Sequence, residues 1–472
     1  MRIIINAASV LMLLCGGMGI ASAQVRSGNL PENDSSLVLT LDQALEIALA
    51  ENVSVKVADR EIERSEYAKK GTYASLFPQV DASASYQRTI KKQVMYMDFD
   101  IPDMGDLGGL GDMGSTASTS EGFEVGRWNT FTGGVSAAMP LVNAQLWRSL
   151  KISGQDVELA VEKARSSRLE TVTQVKKAFY AVLLAKESLK VYEEVLENAI
   201  DNFKQTEKKY NVDKVSELDY IRTKANVSGA IPSVYEAENN VYLSLWQLKA
   251  VMGIDLDTNL DVQGALGDYA QSMFYDIHLN DGYDLDDNTT MRQLAIQAEE
   301  LTNTIRLQKE AYLPTLSLTF SYMLNAMTND FKFNQFKWSP YSFAGLSLSI
   351  PVFSGGKRHS NIKQSEIQYD ELKLQTENTE RQLRIAIQNY LSQMETDMRS
   401  YSSAQETVEL ASKAYSIAAK SYNIGRNTLT DVNDAQLTLV QAQLNQYLTI
   451  YDFLSVKADL EQTLGYDFTE KE

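Results

Sequence analysis

The stretch "LPTLSLTFSY", residues 313–322, alternates without a fault after Pro314. Leu316, Leu318, Phe320 and Tyr322 fall on one parity, and Thr315, Ser317, Thr319 and Ser321 on the other. A period of two is the pattern of a strand with one apolar face and one wet face. Most of the chain around it reads as helix, so this strand has too few companions to build a sheet that stands alone. The fold has to find partners for it.

The stretch has a twin. "FPQVDASASY" (77–86) matches it position for position, Pro78 with Pro314 and Tyr86 with Tyr322, with Val80, Ala82 and Ala84 on the apolar parity. Further on, "GVSAAMPLV" (134–142) pairs with "GLSLSIPVF" (345–353), "YNVDKVSELD" (210–219) with "YNIGRNTLTD" (422–431), and "MGID" (252–255) with "LGYD" (464–467). Four blocks in the same order define two tandem copies of one unit, at about 40–255 and 289–467. Each copy reads as helix, strand, loop, strand, long helix, short turn, long helix. The strands fall near 78–92, 130–140, 314–325 and 341–351. Pro78, Pro140, Pro314 and Pro351 mark helix–strand junctions, where a proline is tolerated and biases its predecessor out of the helical region.

The long helices carry their own signal. Val172, Val175, Phe179, Val182, Ala185, Leu189, Tyr192, Leu196, Ala199 and Phe203 step by three or four. Ile387, Tyr390, Met394, Met398, Tyr401, Ala404, Val408, Ala411, Tyr415 and Ala418 do the same. The mean step of about 3.4 residues is close to the coiled-coil repeat, and an ordinary bundle core shares the periodicity locally. Length separates the two. No strong breaker appears from about Asn143 to Tyr210 or from about Lys357 to Tyr422, so at ~1.5 Å per residue each helix is a column of roughly 100 Å. Pro232 sits in the return helix of the first unit, with Leu444 at the matching place in the second, and a kink or break is expected there.

Arg2, the apolar run from Ile3 to about Ile20 and Ala21-Ser22-Ala23 read as a secretory signal, residues 1–23, leaving a mature chain from Gln24. Leu14 stands where a lipoprotein site needs a small residue, and the run is short for a membrane anchor. Cys15 is the only cysteine and leaves with the signal, so no disulfide or thiol site is expected. With a formal charge of −18 the chain reads as a poor nucleic-acid binder, because contacts to a phosphate backbone need Lys and Arg, so no nucleic acid is expected as a partner. His278 and His359 are the only histidines and have no metal-ligand spacing; GxSxG, GxxxxGK[ST] and CxxC are absent. No catalytic residue, cofactor or metal site is expected, and the chain does not read as an enzyme.

Each strand is about ten residues, the length of a tilted membrane-spanning strand. The apolar parity then faces lipid and the Ser/Thr/Asp parity the lumen. An open sheet edge is not tolerated in hydrocarbon, so four strands must join strands of other copies. Two copies give eight strands, whose interior fills with side chains; three give twelve and leave a channel. The fold class is therefore mainly α with a membrane β-barrel portion: a homotrimer whose twelve-stranded barrel continues as a long α-helical barrel into the periplasm. A soluble half-buried sheet is the alternative for the strands, but the columns leave no packing partner for it. The alternative for the whole chain is a surface structural or adhesive coiled-coil protein without a pore, which needs no alternating strands on both sides of a loop.

The segment 93–126, between the first two strands, holds seven glycines and seven acidic residues and no Lys or Arg, and reads as an extracellular loop. Asp98, Asp100, Asp103 and Asp106 lack the spacing of a calcium loop. Met95, Met97, Met104 and Met113 are the residue type a soft metal takes. A solvated loop accounts for both sets better. The Asp-rich region from about Asp255 to Asn288 lacks a clear period and is expected to form a belt around the tube.

Taken together, "LTLDQALEIALAENVSV" (39–55), the paired strand blocks and "YNIGRNTLTDVNDAQLTL" (422–439) resemble the TolC-like outer-membrane efflux family over nearly all the mature chain. The resemblance implies a trimer in the outer membrane, with a twelve-stranded barrel and a twelve-helix periplasmic tunnel. Its partners would be outer-membrane lipid, a periplasmic adaptor and an inner-membrane pump or ABC transporter. It also implies that the two helix–helix turns form a periplasmic mouth closed by side chains. Tyr422 then matches the family's gating tyrosine, Asp431 and Asp434 its inward-facing aspartates, and Asp219 a carboxylate partner. Asn427 stands where a constricting arginine is common, with Arg426 beside it, so either Arg426 takes over the salt link or closure rests on weaker hydrogen bonds. From the residues alone, Asp431 and Asp434 share a helix face, and three copies make a ring of six carboxylates. Capping of the return helix by Thr430 or Asp431 is the competing reading, and the two roles are compatible.

Overall fold

The computed structural model describes residues 37–95, 123–271, 273 and 283–466. The expected signal, His278, most of the 93–126 loop with its Asp and Met sets (all but Met95), and part of the 255–288 belt lie outside the described residues.

The chain opens with β1 (Leu37–Leu39), α1 (Leu41–Glu51) and α2 (Val53–Ala74). Then come β2 (Gln79–Arg88), the short ribbon β3 (Gln93–Met95) and β4 (Phe123–Val125), and β5 (Asn129–Val142). The column α3 (Ala144–Tyr210), the return helix α4 (Glu217–Met252) and β6 (Leu260–Val262) complete the first unit. The second unit runs α5 (Thr289–Glu310), β7 (Thr315–Thr328), β8 (Ser339–Ser349), α6 (Lys357–Asn423) and α7 (Leu429–Leu464).

The duplication is metric. The columns α3 and α6 are each 67 residues, the return helices α4 and α7 each 36, and α2 and α5 each 22. Asn52 caps α2 and Asn288 caps α5. Each side-chain amide donates to the end of its own unit's return helix, Asn52 to the Val251 carbonyl at 2.6 Å and Asn288 to the Thr463 carbonyl at 2.6 Å. Beside them Gly253 (φ 76°) and Gly465 (φ 77°) end the return helices in the left-handed region. A Cβ on Gly465 would stand 2.1 Å from the Asp287 carbonyl oxygen, so this approach admits glycine alone.

Both columns bury the seams that the sequence places on them, and both pack against the return helix α7. Val175, Phe179 and Val182 are buried, as are Ile387, Met394 and Tyr401. The main core gathers these with Leu248 and Met252 of α4, Ile450 and Phe453 of α7, and Ala44 and Ala48 of α1. Leu260, Val262, Leu266 and Met273, from the described part of the Asp-rich region, insert into the same core, and β6 pairs in parallel with β1. That region is attached through its few apolar residues, which its composition hides.

Pro232 corrects the expectation of a break, because α4 runs through it as one helix. The ring removes one helical hydrogen bond. Ser228, whose carbonyl loses its partner, is exposed to water, and α4 lies packed along α3.

The large sheet has the order β2-β5-β7-β8, each neighbour antiparallel. Its first strand ends at Arg88, short of the expected 92, because the chain bends at Ile90 and Lys91 before the ribbon. The third continues to Thr328, beyond the expected 325. Register fixes the faces: Leu318 stands across from Met139 and Leu346, and Ser321 across from Ser136. In the single chain Leu346 is 67% exposed and Ser321 only 9%, so the apolar parity faces outward. Among the described residues no helix is long and apolar enough to cross a membrane. Among the described residues the outer edges of β2 and β8 carry no strand partner.

Candidate functional site

The far ends of the columns carry two turns built on one plan. In the first, Asp213 takes the left-handed conformation (φ 58°), and the Lys214 N–H closes on the Lys209 carbonyl at 2.9 Å. In the second, Gly425 (φ 75°) and the Arg426 N–H to Ser421 carbonyl bond of 2.9 Å repeat the motif. Each return helix then opens on a hydroxyl cap, Ser216 or Thr428, with an aspartate three residues on.

Asp219 and Asp431 are therefore equivalent. The Ser216 hydroxyl donates to the Asp219 carboxylate at 2.8 Å, and the Asp219 N–H returns to the Ser216 hydroxyl at 3.1 Å. The Thr428 N–H and hydroxyl both donate to one oxygen of Asp431, each at 2.8 Å. These bonds, that from the backbone foremost, hold the exposed Asp431 carboxyl below the usual carboxylate range. The cap is thus Thr428 rather than Thr430 or Asp431, and Asp431 is its reciprocal partner. Asp434, one turn on, is exposed. It borders a groove of about 460 Å³ that Tyr192, Asn202, Thr223, Asn226 and Asn433 also line. The Asn226 side-chain amide donates to the Asn433 side-chain oxygen at 3.1 Å, linking the two return helices.

Tyr422 does not meet the aspartates within one chain. Its hydroxyl lies 3.4 Å from that of Thr206, which is fully buried on α3, and the Lys209 ammonium sits 5.3 Å from its ring centroid. Lys209 also donates to the Asn423 side-chain oxygen at 3.2 Å. Arg426 and Asn427 are exposed on the turn, and Arg426 makes no ion pair among the described residues. Sequence reasoning missed Thr206 and Lys209. Lys209 is the repeat mate of Ser421 and Thr206 that of Ala418, so neither shows in a comparison of the two units.

Among the described residues no group of His, Cys, Asp and Glu could hold a metal ion. A sheet of membrane-length strands, open at both edges, above two 67-residue columns defines a subunit of a membrane-embedded conduit. The family profile "Outer membrane efflux protein" matches residues 44–254 and 284–466. The chain belongs to that family: it is an outer-membrane efflux channel protein extending into the periplasm. It is 21% identical over 347 residues to the outer membrane protein TolC of Vibrio cholerae, covering 71% of this chain and 76% of that one. It is 24% identical over 446 residues to the solvent efflux pump outer membrane protein SrpC of Pseudomonas putida, 92% of this chain and 85% of that one. In fold it matches the Campylobacter jejuni CmeC outer membrane channel with a TM-score of 0.66 at 19% identity, covering 91% of this chain and 87% of that one. These relatives are efflux channels rather than enzymes.

Proposed function

We propose that three copies of this chain close into one duct that carries solutes or proteins from the periplasm across the outer membrane. The energy comes from an inner-membrane pump or ABC transporter reached through a periplasmic adaptor. The observation that carries this reading is the sheet with two free edges of matching polarity. β2 and β7 run one way, β5 and β8 the other, so β8 of one copy meets β2 of the next antiparallel and every backbone group finds a partner. The test is oligomeric state in detergent together with conductance in planar bilayers. A conducting trimer is expected, and a stable, non-conducting monomer contradicts the reading.

The two turns then form the periplasmic mouth. Tyr422, tied to Thr206 and Lys209, holds the second unit's turn against the first. The free oxygen of Asp431 and the whole of Asp434, repeated three times, supply a cation-binding ring, with Asp219 on the neighbouring turn. The exposed Arg426 and Asn427 are the groups available to a neighbouring copy. The double variant Asp431→Ala/Asp434→Ala is expected to weaken block of the pore by multivalent cations, and unchanged block would remove the ring.

A further inference from the structure

At the end of the sheet farthest from the columns, the β7–β8 connection carries Phe331-Lys332-Phe333-Asn334-Gln335-Phe336-Lys337-Trp338, aromatic and cationic residues interleaved. It folds back over the outer face. The ring of Phe131 lies 5.9 Å from that of Phe333 and 5.0 Å from that of Phe336, and Tyr86 stacks beside it at 4.8 Å. Phe131 and Tyr86 share the outward parity of Leu318 and Leu346, since Phe131 pairs with Tyr86 and Ala326 in register. The cluster is thus the continuation of the lipid-facing surface, at the level where an aromatic girdle meets headgroups. Yet Phe333 remains 66% exposed and Trp338 49%, so the clasp is only half covered by its own chain.

The connection itself carries two cations, Lys332 and Lys337, against one acid, Asp330. In a chain of net charge −18, Arg88, Lys91, Arg127, Lys332 and Lys337 gather at this end. None of them makes an ion pair among the described residues. Of the described acids here, Glu124 is bound by Lys92 at 3.4 Å and Asp330 accepts from the Thr328 hydroxyl at 2.9 Å. Unpaired cations between half-exposed aromatic rings, at a membrane boundary, want an anionic headgroup joined to acyl chains.

We infer that the β7–β8 connection is a docking clasp for a phosphorylated glycolipid of the outer leaflet, its phosphates on Lys332 and Lys337 and its chains against the Phe131–Phe336 cluster. The inference rests on the outer-membrane placement above. It is tested by native mass spectrometry of the full-length detergent-solubilised protein titrated with diphosphoryl lipid A, its phosphate-free form, and inorganic phosphate as competitor. The wild type should retain the diphosphoryl lipid. Lys332→Gln/Lys337→Gln should lose it by roughly tenfold, Lys332→Arg/Lys337→Arg should keep it, and inorganic phosphate should not displace it. Equal retention by the Gln variant, equal retention of the phosphate-free lipid, or displacement by inorganic phosphate would each overturn the clasp. Planar-bilayer conductance of the same preparations reports on folding and on the channel reading separately.

Discussion

The two units share a scaffold and part company at their tips. Helix lengths, Asn caps, terminal glycines and turn geometry repeat, but the equivalent tyrosines do different work. Tyr210 stacks on Tyr220 of its own hairpin, rings 4.8 Å apart and 16° from parallel, and Phe203 lies against the same ring at 5.6 Å. In the second unit the place of Tyr220 is taken by Val432, which is fully buried. Among the described residues its tyrosine, Tyr422, makes no ring stack, and it reaches across to Thr206 and Lys209 instead. The first turn is therefore fastened to itself, and the second is fastened to the first. Releasing the second turn from the first would break the Tyr422–Thr206 hydroxyl contact, the Lys209–Tyr422 cation–π contact and the Lys209–Asn423 hydrogen bond, at a cost of about 1–3 kcal/mol.

The shared scaffold is broken most severely at its terminal glycine. Gly465→Ala forces a Cβ into the Asp287 carbonyl at a left-handed position, and a loss of about 3–5 kcal/mol or failure to assemble is expected. Gly253→Ala, with its closest contact at 2.7 Å, should follow the same direction with a smaller loss, read by denaturant unfolding. The difference between the tips is sharpened by Tyr422→Ala, which should raise resting conductance severalfold, while Tyr210→Ala leaves it near wild type; equal effects would erase the distinction. Smaller still, Gly425→Ala should cost about 1 kcal/mol, because its site has room for a side chain but not the backbone for one. Asp213→Gly should be neutral or gain about 0.5 kcal/mol.

Asp397, on α6, gives a pH-dependent contrast. It is buried and accepts from the Gln393 amide at 2.8 Å, but its other oxygen has no hydrogen-bond partner among the described residues. Burial, with a smaller push from Asp452, raises its carboxyl above the ordinary range. A raised acid favours the protonated folded state, so the stability it confers is present at low pH and lost as pH rises through its titration. Asp397→Asn should therefore stabilise by about 1 kcal/mol near neutrality, with the gain vanishing under acid. Thermal unfolding at two pH values reads this.

What the sequence makes legible is what repeats at short range. Alternation from Leu316 to Tyr322 and the three-to-four step along Val172–Phe203 each express one local geometry, and the sheet and columns follow from them. The aspartates are visible as a pair on a helix face, but the cap that engages Asp431 depends on Thr428 having extended backbone, which the spacing does not reveal. The Tyr422–Thr206 contact joins residues 216 apart and has no local pattern. The Asn52 and Asn288 anchors are similarly tertiary, although the matched Gly253 and Gly465 show where to look. At Pro232 the sequence signals a kink or break, and the packing of α4 along α3, which keeps the helix from breaking there, has no local signature.

The central claim is that the sheet is completed by neighbouring copies, and cross-strand cysteine trapping tests it most directly. Cys15 is the only natural cysteine, so Ser83→Cys on β2 can be combined in turn with cysteines at the inward-parity positions of β8 from Ser339 to Ser349. Oxidation of the membrane-embedded protein should give dimers and trimers on denaturing gels at one register and its neighbours. Monomers at every register, or a bond that closes within a single chain, would contradict the account.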